Sequence, residues 1–504
     1  MIPQTSTIIL SGSRRILIID ARINSSRCLI PRQNSSSSRG TRFFSTSVKR
    51  EITNISKKYA STSSLSILTR SSTDEQHTVI LGCGIAGLSV AHYLLAAAAS
   101  TNNTNMRVTV LDQHPGPAMG TSRKNGQLLC PSLSYSWVAM PILFGKDALL
   151  RSLINSTIAR PFASSSTPAA PPVTMEPRAL FDPKLWQFGM QWFRRRFIQA
   201  DDFRNVNQAI GSLMHYTMKC LDDEDDELVQ RISYDRVALG TQLLDGTVHT
   251  SDSSGDIGIF CTELQRLLVD AHGDRIDFIF GEGVSGVHYG SNDGSITDVT
   301  TTKKRTVSAD QFVVALGTGS TDFCQSIGVP CPVYPVKGYL VTFKSQRDVP
   351  YNLMLPSKAF CAPMGGGKYR LSGFADFVAD PFAKDCLEVD QDRAQALIEV
   401  AKKEFPDLEV VDIDCGFRPL SPDDCPLIGP SSKYQNLFYC TGHGSKGWSM
   451  GLGSGKLLTD IMLKKETSID AKPYLPNRFD LGRTSGIPKR KNNPLMEQYL
   501  ETSV

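Results

Sequence analysis

The stretch His77-Thr-Val-Ile-Leu-Gly82-Cys83-Gly84-Ile85-Ala86-Gly87, continued by Leu88-Ser-Val-Ala-His-Tyr-Leu-Leu95, decides the fold. Val79, Ile80 and Leu81 read as a buried parallel strand, and the residues after Gly87 read as a helix laid on it. The pattern G-x-G-x-x-G between such a strand and such a helix is a nucleotide fingerprint. Gly82 permits the tight turn, Gly84 lets a pyrophosphate approach the backbone, and Gly87 lets helix and strand pack closely. Free N–H groups at the helix start, among them those of Ile85 and Ala86, then meet the phosphates with the positive end of the helix dipole.

Downstream, Arg107-Val-Thr-Val-Leu-Asp112 reads as a second strand. It ends in an acid able to bond ribose hydroxyls, with Gln113 beside it. From Gly87 to Asp112 is 112 − 87 = 25 positions, a little long, and the polar loop Ser100–Asn105 absorbs the excess. An acid here rather than an arginine argues against a 2′-phosphate, hence against NADP. The early motif favours FAD over NAD. So does the polar loop Gly120-Thr-Ser122-Arg-Lys-Asn125-Gly126-Gln127-Leu128, which can run beside pyrophosphate and flavin.

Three distal segments extend the pattern. Gln311-Phe-Val-Val-Ala-Leu-Gly317-Thr-Gly-Ser320 is a strand ending in glycines, and Cys331-Pro-Val-Tyr-Pro-Val-Lys-Gly-Tyr339 is another strand. The turn Cys415-Gly-Phe-Arg418-Pro-Leu-Ser-Pro-Asp-Asp-Cys-Pro-Leu-Ile-Gly429 is followed by Thr441-Gly442-His443-Gly444-Ser-Lys446-Gly447-Trp448-Ser-Met-Gly-Leu-Gly-Ser-Gly455. Together these resemble the D-amino-acid oxidase superfamily, and within it the D-amino-acid dehydrogenase small-subunit group. The likeness covers roughly Val79 to Thr459, including Gly255-Asp256 and Phe260 at the head of a middle helix.

The resemblance implies FAD-dependent oxidative deamination of a small amino acid. A hydride passes from Cα to flavin N5, the imino acid hydrolyses to a 2-oxo acid, and electrons go to a respiratory acceptor such as a quinone. It implies Arg418 as the carboxylate clamp, because a guanidinium fork matches a carboxylate bidentately and a lysine does not. Tyr339 is a second candidate at the substrate, with a core-packed strand tyrosine as the alternative. The resemblance sets the loop Gly442 to Gly447, with Trp448, at the flavin pyrimidine edge, where its N–H groups stabilise negative charge. His443 reads as a hydrogen-bonded structural histidine or as a flavin-tuning one. Lys446 departs from the bacterial dehydrogenases and matches sarcosine-oxidase relatives. It either supports anionic reduced flavin or points to solvent. Val284 is expected to give backbone contacts on the adenine side, and Gly317 lies at its own strand end. Cys425 sits near a region where some relatives attach flavin, but non-covalent binding is expected.

The remaining residues set limits. With 40% apolar residues and net charge +4, the chain has globular composition and no electrostatic case for nucleic acid. No C-x-x-C or H-E-x-x-H occurs, so no metal site or disulfide framework is expected, and no apolar run is long enough for a transmembrane segment. Residues 1–73 are rich in arginine and serine and poor in acids, a transit-peptide signature that predicts a mitochondrial address, with a plastid as the alternative. The fold class expected is α/β: a Rossmann-type FAD domain (75–132, 255–319, 412–463) interleaved with an α+β substrate domain (133–254, 320–411) on a mostly antiparallel sheet. Its strands are predicted at Val237–Leu244, Gly338–Phe343 and Lys368–Phe374. The stretch 163–173 reads as a surface loop, Asp222–Glu227 as a solvated acidic loop, and the residues after Asp480 as an extended tail. Leu185–Ile198 reads as a core-facing helix, with peripheral membrane contact as the sharper alternative. Two other functions compete. One is a glycine or sarcosine-type oxidase making peroxide, toward which Lys446 points. The other is a non-catalytic flavoprotein assisting respiratory-complex assembly, against which Arg418 argues.

Overall fold

The computed structural model describes residues 6–12, 15–21, 76–101, 105–136, 138, 171–199, 205–290, 294–381 and 384–480. The chain divides into two units, Met1–Ile67 and Leu68–Val504. In the first, Ser6–Gly12 and Arg15–Ala21 pair as an antiparallel hairpin, where the sequence suggests an irregular address. Both strands carry isoleucine-rich runs, which suit a pleated backbone.

The second unit is built on two large sheets. The nucleotide sheet has strand order Ile276–Phe280, Met106–Asp112, Gln76–Leu81, Gln311–Val314, Leu437–Thr441, Leu427–Pro430. Its first five strands run parallel and the last is antiparallel. Side chains of one strand go alternately to two cores: Ile80 joins one, Val79 and Leu81 the other. That is the signature of a parallel sheet covered on both faces, and it is why Val79–Leu81 is an unbroken apolar run. The helices Ile85–Ser100, Ile257–His272 and Gly447–Met462 accompany this sheet.

The second sheet is mostly antiparallel and centres on Tyr334–Lys344, flanked by Glu409–Leu420 and Lys368–Phe377. Three differences from the sequence reading stand out. Residues 412–420, assigned above to the FAD domain, pair with Tyr334–Lys344 and so belong to the second sheet. Of Val237–Leu244, only Thr241–Gln242 forms a strand. A small sheet of Val284–Tyr289, Ile296–Thr301 and Thr306–Ser308 carries the Val284 segment and was not foreseen.

Surface segments also differ. Most of 163–173 lies outside the described residues, but Val173–Met175 pairs with Lys368–Phe377. The tail after Asp480 lies outside them too. Within the acidic run, Asp226 is not a solvated end: it bonds buried His92 at 2.7 Å and caps the next helical turn through Val229 N–H. The helix Pro183–Phe193 and the π-helical turn Arg194–Ile198 bury Leu185, Phe188, Gln191 and Arg195, with Leu185 and Phe188 in the main core as a core-facing helix requires, and leave Trp186, Met190, Phe193, Phe197 and Ile198 exposed as a second apolar face. Among the described residues, no helix is long and apolar enough to cross a membrane, and no group of three or more His, Cys, Asp or Glu could hold a metal.

Candidate cofactor and substrate site

A cavity of about 880 Å³ runs from the glycine turn at Gly82 to the second sheet at Arg418. At its nucleotide end, the turn has the local geometry expected from its glycines. Gly82 has φ +110°, and a side chain there would collide with the Ala315 carbonyl; one on Gly87 would overlap the Gly82 carbonyl. Gly84 caps the helix Ile85–Ser100 without a side-chain hydrogen bond, so the helix start is left to a ligand, apart from the Ile85 N–H donating to Ser122 Oγ at 3.1 Å. Asp112 accepts from Cys83 N–H at 2.7 Å and from His114 N–H at 2.8 Å. Its carboxylate is therefore fixed at the cavity wall, which Gly84, Ile85, Ala86, Asp112, Gln113, Ser122 and Val284 all line. Gly87 does not line it and acts through helix–strand packing.

His114 and Glu282 also line this end and were missed by sequence reasoning. Burial alone would raise the Glu282 carboxyl, but hydrogen bonds from Arg305 and Thr301 and their neighbouring cations hold it below the usual range. A lone acid before a glycine gave no signal for either role.

In the middle, the loop after Gly120 is tied to the second sheet and to the head of the helix Ile257–His272. Thr121 Oγ1 donates to Phe417 O at 2.8 Å, and Lys124 Nζ pairs with Asp414 at 2.8 Å. Asn125 Oδ1 accepts from Gln127 N–H at 2.7 Å, and Gln127 Nε2 donates to Asp256 at 2.9 Å. Asn125, Gly126 and Gln127 line the cavity, as does Gly317.

The second glycine loop faces the same space. His443, Gly444, Lys446, Gly447 and Trp448 line it; Gly442 does not, and its φ of +78° serves the turn. The helix Gly447–Met462 begins without a side-chain cap, so two 16-residue helices present uncapped N-termini to one cavity. Trp448 is fixed by an Nε1–H bond to Gly255 O at 2.9 Å and by packing on Phe260. Burial pushes the His443 imidazole down to about 4, so it is neutral at physiological pH and bonded to Ser454 Oγ at 3.0 Å. Lys446 points neither to solvent nor freely at a ligand: its ammonium is ion-paired with fully buried Asp424. Cys425 is fully buried away from the cavity lining, and burial pushes its thiol up, so it is not placed to bond a flavin.

Arg418 lies at the far end. Its guanidinium covers Gly338, where any side chain would overlap it, and donates to Phe374 O at 2.6 Å, Gly373 O at 3.3 Å and Lys337 O at 3.4 Å. Among the described residues no carboxylate forms an ion pair with it. Burial pushes it down to about 10, which still leaves it a cation. Tyr339 is not in the lining. Side chains alternate along a strand, so Gly338 and Leu340 face the cavity while Tyr339 goes to the opposite core beside Asp376 and Arg393. The expectation of Tyr339 at the substrate is corrected on that ground.

An extended dinucleotide fits this arrangement. The glycine turn and first uncapped helix suit a pyrophosphate, Asp112 suits a ribose, and the second uncapped helix suits the electron-rich edge of a flavin. The sequence pattern of DAO, described as FAD dependent oxidoreductase, matches residues 77–461. The D-amino acid dehydrogenase of Agrobacterium fabrum is 28% identical over 435 residues, covering 80% of this chain and 99% of that protein. The D-amino acid dehydrogenase of Granulibacter bethesdensis is 27% identical over 439 residues, covering 78% and 97%. Among solved structures, L-proline dehydrogenase from P. horikoshii superposes with a TM-score of 0.53 at 15% identity, covering 81% of this chain and 99% of that one. Glycine oxidase from Bacillus cereus gives a TM-score of 0.50 at 15% identity, covering 78% and 96%. At such identities the structural likeness is one of fold.

Proposed function

We propose that this chain, which belongs to the DAO family of FAD-dependent oxidoreductases, oxidises the CH–NH₂ carbon of a small D-amino acid and passes the electrons to a respiratory acceptor. FAD supplies the two-electron acceptor. The observation that carries the substrate reading is Arg418: a half-buried guanidinium held by three carbonyls, opening on the cavity, with no carboxylate paired to it among the described residues. A cation held by dipoles and not by a counter-charge favours an incoming carboxylate. The carbonyls orient the fork before substrate arrives, so little ordering is left to pay for on binding. Among the described residues, the part of the lining contributed by the second sheet holds no carboxylate to pair with an ammonium, which favours the substrate amine in its neutral, reactive form. The product imino acid hydrolyses to a 2-oxo acid.

The oxidase alternative loses its main support, because Lys446 is neutralised by Asp424. A membrane-borne acceptor is favoured by the patch of Phe181, Trp186, Met190, Phe193, Phe197 and Ile198, each more than half exposed. The arginine- and serine-rich, acid-poor stretch before residue 73 supports a mitochondrial address.

The test is anaerobic reduction of the bound flavin, followed in its visible band, with D-amino acids, L-amino acids, glycine and sarcosine. Bleaching by D-amino acids, weakened in Arg418→Ala, is expected. Bleaching by glycine or sarcosine alone would transfer the reading to the oxidase, and bleaching by none would end it.

A further inference from the structure

Ser357 and Lys358, in the turn Pro356–Lys358, line the cavity, and the turn is strained. Ser357 has φ 58° and ψ 22°, and Lys358 has φ 57°, two consecutive L-residues in the left-handed region without a glycine. Strain of this kind persists where the surrounding structure holds it, and it concentrates at ligand sites.

Its position relative to Arg418 follows from the sheet register. Phe360 pairs with Ser372, and a side chain on Gly373 would meet Ala359 Cβ at 3.2 Å. Lys358 immediately precedes Ala359, and its turn packs against the strand Lys368–Phe377. Gly373 and Phe374 are the residues whose carbonyls hold the Arg418 guanidinium. Lys358, Gly373, Phe374 and Arg418 all line the one cavity, so the lysine stem starts from the wall whose carbonyls hold the guanidinium.

The charges of the lining single out the same pair. Lys124 is tied to Asp414 and Lys446 to Asp424. Lys358 has no ion-pair partner among the described residues, and neither has Arg418. Among the described residues, the acids that line the cavity, Asp112, Glu282 and Asp322, all come from the nucleotide-sheet side, and Asp322 is ion-paired with Lys184.

We propose that Lys358 is a specificity-determining residue that holds the side-chain carboxylate of a dicarboxylic amino acid, of the aspartate and glutamate class, while Arg418 holds the α-carboxylate. This rests on the reading of Arg418 as the clamp of an amino-acid oxidising site. Two unpaired cations at one end of a cavity favour a dianionic ligand and reject one with a cationic side chain.

The experiment compares kcat/KM of the holoenzyme for D-glutamate, D-aspartate and D-alanine in the wild type, Lys358→Met and Lys358→Arg. Methionine keeps the length of the stem and removes the charge. A fall of about tenfold or more in the ratio of D-glutamate or D-aspartate to D-alanine in Lys358→Met, restored in Lys358→Arg, is expected. An unchanged ratio, whether all rates stay level or all fall together, overturns the proposal. Binding is read without turnover by titrating the oxidised holoenzyme's flavin spectrum with glutarate and butyrate. If no amino acid is oxidised yet glutarate binds more tightly than butyrate through Lys358, the functional reading fails and the dicarboxylate site stands. If glutarate shows no such advantage, the site itself falls.

Discussion

Arg418 is a cation whose partners inside the protein are carbonyl dipoles, so its charge is oriented but not neutralised. A carboxylate taking two charge-assisted hydrogen bonds from it gains roughly 2–4 kcal/mol. Arg418→Ala is therefore expected to lower kcat/KM by roughly 30- to 700-fold, and Arg418→Lys to recover only part, because the fork is lost. Steady-state rates across a substrate series check this. His443 allows a different test. Its folded pKa is depressed by burial from 6.5 to about 4, so the unfolded chain takes up the proton first. The resulting stability is complete above pH 6.5 and is lost as pH falls from 6.5 toward 4, by at most about 3 kcal/mol. His443→Gln, which cannot titrate, should show a shallower fall of Tm between pH 7.5 and pH 5 than the wild type; equal slopes would mean that His443 is not neutral in the folded state. Tyr339 marks a limit of reading at this scale. Every residue from Tyr334 to Phe343 is buried, so the strand shows no alternation of apolar and polar residues from which to tell which face meets the cavity.

The two helices that present their N-termini to the cavity also pack on each other through glycines. A side chain on Gly451 would come within 2.6 Å of Ile85 Cγ1, and one on Gly455 within 2.5 Å of the Ser89 carbonyl carbon. Gly451 and Gly455 lie one turn apart on one face, so the helix axes approach more closely than alanine would allow. Gly455→Ala should gain up to about 1 kcal/mol of helix propensity and lose about 1–3 kcal/mol to overpacking against main chain that cannot step aside. The expected net result is a lower Tm together with weaker retention of FAD, since both uncapped helix starts shift when the helices part. Unchanged Tm and unchanged flavin content would show that the crossing adapts locally. The first fingerprint was legible because its three glycines sit between a strand and a helix of recognisable period. The run Gly451-Leu-Gly-Ser-Gly455 carries no such signal, because its spacing identifies a close approach only once the neighbour is known.

At the scale of the whole molecule, local patterns identified the two kinds of sheet but not every membership. Residues 412–420 mix Asp412, Asp414 and Arg418 with apolar neighbours and carry no pattern that selects a sheet; their place is settled by pairing with Tyr334–Lys344, some eighty positions earlier in the chain. The same limit applies to Leu185–Ile198, whose aromatic spacing suits a core as well as a surface. Here the structure leaves the Phe193 and Phe197 rings tilted against each other 4.9 Å apart and more than half exposed, with Trp186 and Met190 exposed on the helix and Ile198 on the turn that follows it. Fully burying one such side chain is worth about 1.5–3 kcal/mol, so several entering a bilayer interface together suffice for reversible attachment. Arg194 and Arg196 flank the patch and favour anionic headgroups. The purified protein is expected to co-sediment with vesicles containing phosphatidylserine, more weakly in high salt. Phe193→Ser together with Phe197→Ser should remove roughly 3 kcal/mol or more of that binding while flavin content and D-amino-acid bleaching persist, because neither residue lines the cavity. Equal sedimentation of the variant and the wild type would assign this face to something other than a lipid surface, and the electrons would then need a soluble acceptor.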